Sequence, residues 1–133
     1  MVRRTTSILI SLAMLGVAGF FGCGSYVVAL DRKYSSDGEF WAELTVSRST
    51  AVAGGDWYWV TLGRTHPTWR DKLVRNQSVE VCSLEGPGKL SASWASPRKV
   101  QVVCARCRSR SFFPVSKEWE GVSIEFVFKD SGE

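Results

Sequence analysis

Hydrophobic positions change character near residue 31. From Thr5 to Leu30 the chain carries 26 residues without a charge, bounded by Arg4 and Asp31, and such a run is long enough to cross a bilayer with some tilt. It is apolar on every side of a helix rather than along one stripe, which argues against a helix packed on a soluble core. Beyond it the pattern turns to period two. Phe40, Ala42, Leu44 and Val46 alternate with Trp41, Glu43, Thr45 and Ser47, the mark of a half-buried strand. The stretches WYWVTLG (57–63), SVEVCSL (78–84), LSASW (90–94), KVQVVCA (99–105) and VSIEFVF (122–128) predict five more.

Turn residues separate these strands. Ser36, Asp37 and Gly38 predict a tight turn, with Asp37 bonding its own backbone and Gly38 taking a positive φ. Gly54, Gly55 and Asp56 lead into the second strand, EGPGK (85–89) follows the third, and Ser96 with Pro97 precedes the fifth. Only RTHPTWRDKLVRNQ (64–77) breaks the β pattern; a short helix or structured loop is expected after Pro67, capped by Thr68. The expectation is an all-β protein: an N-terminal transmembrane or signal helix (1–30), then one domain (31–133) built as a small antiparallel sheet, sandwich or partly open barrel of about six strands.

Composition narrows the address and the partners. From Asp31 onward there are 15 Lys and Arg against 13 Asp and Glu, so the domain lacks the concentrated basic face of a nucleic-acid binder. Arg3 and Arg4 precede the apolar run, whereas Arg32 and Lys33 after it are offset by Asp31. The positive-inside rule therefore places the β domain outside the cytoplasmic membrane. Three chemistries suit the run. It is an uncleaved single-pass anchor by length, a lipoprotein signal with Cys23 as the lipidated residue (Gly22 precedes it, though Phe20 is large for that position), or a cleaved signal peptide.

Three cysteines remain outside the run, Cys82, Cys104 and Cys107, an odd number for an oxidising compartment. If the fifth strand continues through Arg110, residues three apart point to opposite faces, so Cys82 is expected to pair with Cys104 and leave Cys107 free. A redox role for Cys104-Ala-Arg-Cys107 needs a helix N-terminus that the following residues do not suggest. A zinc site from Cys82, Cys104, Cys107 and His66 has enough ligands, but two of them are isolated. No metal and no cofactor is expected. On the same extended strand Arg106, Arg108 and Arg110 share a face, suited to anionic headgroups or an acidic partner, or simply to guarding a sheet edge. All six tryptophans lie in the β domain; Trp57, Trp59 and Trp69 are the candidate contact residues, since exposed aromatics anchor interfaces.

Three stretches carry a resemblance. SSDGEFWAELTV resembles the S-P-D-G-K opening of a group of small bacterial proteins of unknown function that are anchored by a membrane helix or a lipid. WASPRKVQVV and the closing GVSIEF resemble that group's second and last motifs. Ser36 stands where proline is usual and Glu39 where lysine or arginine is. The likeness implies a β fold and a membrane address, and no chemistry. Together these readings lead to a non-catalytic binding or structural module that contacts the membrane and another envelope protein. An inhibitor of a secreted hydrolase, and an enzyme or thiol-redox protein using Cys104 and Cys107, are the alternatives.

Overall fold

A computed structural model describes residues 24–49, 55–73 and 77–130. Cys23 and the apolar run up to that point lie outside the described residues. Among the described residues nine strands and one helix follow in order: β1 (Ser25–Tyr34), β2 (Phe40–Ser49), β3 (Trp57–Arg64), the helix α1 (Trp69–Leu73), β4 (Ser78–Glu85), β5 (Lys89–Ser96), β6 (Lys99–Ala105), β7 (Phe112–Pro114), β8 (Glu118–Trp119) and β9 (Val122–Lys129). One sheet has the order β1-β2-β3-β4-β7 and the other β5-β6-β9-β8. Apart from the one-turn helix the described residues are all-β, with two sheets around one core.

Strand alternation builds that core. In the first sheet Ala42, Leu62 and Val79 form one cross-strand row, Leu44, Val60 and Cys82 a second, and Val46, Tyr58 and Leu84 a third. In the second sheet the rows are Leu90–Cys104–Phe128, Ala92–Val102–Phe126 and Trp94–Val100–Ile124. Val46, Val60, Leu62, Leu84 and Val100 are wholly buried, and each such side chain stabilises the fold by about 1.5–3 kcal/mol relative to exposure. Phe40 bridges the layers, with Trp94 and Trp119 ring centroids 6.5 and 6.1 Å away.

The three stretches of the resemblance meet at one end of the molecule. In the Ser35–Phe40 turn Gly38 sits at φ 72°, Ser35 Oγ donates to Asp37 Oδ1 at 2.7 Å and the Glu39 N–H to the same oxygen at 3.1 Å. Arg98, on the β5–β6 turn, reaches across: Nη1 donates to Asp37 Oδ2 at 2.7 Å and Nη2 to Glu39 Oε2 at 2.6 Å. Its guanidinium lies 4.8 Å from the Phe40 ring centroid. The Ser123 N–H then donates to Arg98 O at 2.8 Å. What the sequence shows as three separate signatures is one fastening between the two sheets.

β1 runs through Leu30, and residues 25–30 form an edge strand antiparallel to β2. Other expectations are corrected. The second sheet is mixed, because β9 runs parallel to β6 and β7 and β8 occupy the crossover between them. The expected Cys82–Cys104 pairing is replaced by a Cys104–Cys107 disulfide, with Cys82 free and buried. The reason is local: β6 stops at Ala105 and Arg106 takes φ 59°. The chain therefore turns, strand alternation ends, and residues three apart come together with their Cα atoms 5.7 Å apart. So short a loop stabilises the fold by roughly 2 kcal/mol, less than a Cys82–Cys104 loop would.

Candidate functional site

The outward face of the first sheet carries a group of aromatic and cationic side chains that are exposed or partly buried. Register places Val27, Ser47, Trp57 and Glu85 in one row, Ala29, Thr45, Trp59 and Ser83 in the next, then Arg32, Glu43, Thr61 and Glu80, then Tyr34, Trp41, Gly63 and Ser78. Trp57 is 46% exposed and Trp59 partly buried. The two are i, i+2 neighbours on one face. With Ser47 and Glu80 they line a shallow recess of about 310 Å³. Trp41 lies flat over Gly63, where a Cβ would collide with its indole, and its Nε1–H donates to Arg64 O at 3.2 Å. Arg32 sits 4.2 Å above the Trp41 ring and donates to Glu43 Oε2 at 2.7 Å. The surface is thus rigid and amphipathic at low entropic cost, the property that suits aromatics to recognition.

The other expected contact residues do not join it. Trp69 projects from α1 at 68% exposure, with Arg70 5.4 Å from its ring centroid. Arg106, Arg108 and Arg110 are exposed in the turn region after β6 and share no strand face; this corrects the reading of an arginine row. Arg32, Tyr34 and Trp41 are not among the expected contact residues. The alternation of β2 puts Trp41 on the face opposite Phe40, Ala42 and Val46, but the first half of β1 coincides with the apolar run, which hides the strand that brings Arg32 and Tyr34 beside it.

Burial pushes the Cys82 thiol up to about 12, which removes it as a nucleophile. Cys104 and Cys107 are joined, and Cys104 belongs to a strand, so the helix N-terminus a redox pair needs is missing at this position. No group of three or more potential metal ligands occurs among the described residues. His66 lines a cavity of about 320 Å³ with Glu39, Phe40 and Arg64. The carboxylate there is held by Arg98 at 2.6 Å, and Arg64 by Glu120 at 2.6 Å. Both charges are committed to ion pairs.

Comparison with protein-family models, with curated proteins and with solved structures gives no match for this chain.

Proposed function

We propose that this protein is a non-catalytic binding module held at the outer face of a cytoplasmic membrane, and that the outward face of the β1–β4 sheet contacts another envelope protein. The observation that carries the reading is the paired Trp57 and Trp59 beside the Arg32–Trp41 stack, presented on a flat sheet face without a covering element among the described residues. The anchor is a single span or a lipid on Cys23. The 20 uncharged residues from Thr5 to Gly24 still meet the length for crossing after β1 is subtracted. The held carboxylates around His66 and the buried Cys82 thiol favour binding over catalysis.

The test is a photocrosslinking amino acid introduced at position 57 in the full-length chain, irradiated in intact envelopes. One dominant protein adduct is expected, and the Trp59→Ala change should weaken it at least tenfold. Adducts confined to lipid, or a ladder no different from that of a crosslinker at position 69, would overturn the reading. A periplasm-active reporter fused after Glu133 checks the address separately.

A further inference from the structure

The core-facing side of β9 runs out of cover toward its C-terminal end. Val122 and Ile124 are buried, Phe126 is partly buried and Phe128 is 56% exposed. Phe112 on β7 stands edge-on to both phenylalanines, with centroids 5.5 Å from Phe126 and 5.1 Å from Phe128. Two adjoining cavities of about 390 and 400 Å³ open here. Phe112, Pro114 and Phe128 line both, Lys117 contributes to the first and Cys107 to the second.

The cleft exists because β8 is short. It pairs only with Val122 and Ser123. The Ile124 N–H donates to Lys117 O at 2.9 Å, so even-numbered residues of β9 direct their main-chain groups away from β6. Phe126 and Phe128, paired with β6 on one side, do the same beyond the end of β8, where no strand among the described residues pairs with their other side. An open ladder beside an apolar trough is the geometry that binds an extended chain by strand addition. The neighbouring edge, β7, contains Pro114 and is a poor template. The β1 edge is broken by a bulge between Ala29 and Asp31 and guarded by Asp31, Arg32 and Lys33. A lipid chain would fill the trough but leave the main-chain N–H and C=O groups of β9 unanswered.

We infer that this cleft is a second binding site, which takes an extended peptide segment of a partner protein as a strand beside Phe126–Phe128. Alternate apolar side chains of the peptide seat on Phe112, Phe126 and Phe128, and a carboxylate at its end meets Lys117, the charged residue of the lining. The site is distinct from the tryptophan face and stands whether or not that face binds.

The experiment uses the full-length chain in detergent micelles and a fluorescein-labelled nine-residue peptide of valine and leucine alternating with threonine, with an aspartate at each end. Saturable binding by anisotropy is expected. Proline at two successive central positions, one of which must donate to the ladder in either strand direction, should weaken it at least tenfold, as should Phe128→Asp; Trp57→Ala should leave it unchanged. Phe128 is more than half exposed, so the variant is expected to fold, and far-ultraviolet circular dichroism checks that. No binding, equal affinity for the proline peptide, or insensitivity to Phe128→Asp overturns the proposal. So does protection of the cleft by dimerisation of the chain itself, or by detergent or anionic vesicles in place of peptide.

Discussion

Asp37 shows how much of the fastening at one end of the molecule rests on one carboxylate. The Ser35 hydroxyl, then the Glu39 N–H and then Arg98 hold its pKa below the ordinary 3.8. A carboxylate depressed on folding contributes stability that is present above the unfolded value and is lost as pH falls through the folded one. Stability of the wild type should therefore fall as pH drops below about 4, and Asp37→Asn should be less stable near pH 7 and flatter across that window, by urea titration at stepped pH. Cys82 behaves in the opposite sense. Burial raises its thiol from 9.0 to about 12, so its contribution is present below pH 9 and is lost as pH rises toward the folded value. Native protein should resist iodoacetamide at pH 8, with alkylation of Cys82 tracking global unfolding. A non-reduced tryptic digest cut after Arg106 should hold its two pieces together through Cys104 and Cys107; recovery of Cys82 in a linked peptide would contradict this. At Gly63 the Trp41 indole occupies the space of a side chain. Gly63→Val should cost about 1–3 kcal/mol through overpacking, with a changed tryptophan emission as the indole is displaced.

Elements were legible where side chains alternate against a core, and illegible where they do not. Strands over 40–49, 57–64, 78–85, 89–96, 99–105 and 122–129 agree with the expected stretches to within one or two residues, because most bury alternate residues over part of their length; β4 departs from this, with Val81–Leu84 buried in an unbroken run beside the bulge in its pairing with β3. The one-turn helix after Thr68 also falls where Pro67 placed it. β1 was hidden for a physical reason: all ten of its residues are exposed, so it lacks alternation, and SYVVAL continues the hydropathy of the preceding run. β7 and β8, of three and two residues, are too short to carry a period. Nothing in VSIEFVF distinguishes a parallel from an antiparallel neighbour; that choice is made by the crossover through Phe112–Trp119. β9 also contains its own test. Ile124 is buried in a row with Trp94 and Val100, whereas Phe128 closes the row of Leu90 and Cys104 from the edge. Ile124→Ala should cost about 2–5 kcal/mol and Phe128→Asp about 1 kcal/mol, the loss of one edge-on ring contact. Comparable losses in chemical denaturation would mean that the cleft is part of the closed core.

At the scale of the whole molecule, the start of β1 sets how the domain stands. Only Gly24 separates Cys23 from Ser25, so with either proposed anchor the first residues of β1 lie at the membrane surface. β1 pairs Ser25 with Ser49 and Tyr34 with Trp41, and ten residues of strand span about 30 Å. The end of the sheet carrying Ser25, Ser47 and Trp57 is then proximal to lipid. The end carrying Phe40, Arg98 and Trp119 is distal, and the Arg98 fastening closes it in water. The exposed Tyr26, Val27 and Val28, with Arg48 opposite Tyr26, suit that interface, whose headgroup region favours amphipathic rings and basic side chains. The expected consequence is a gradient of depth across the tryptophans. In vesicles containing lipid brominated near the glycerol, Trp57→Phe should remove the larger part of the tryptophan quenching and Trp119→Phe almost none. The opposite ranking would put the tryptophan face away from the bilayer, and a partner reached through Trp57 would then have to be sought in the aqueous space instead of at the membrane.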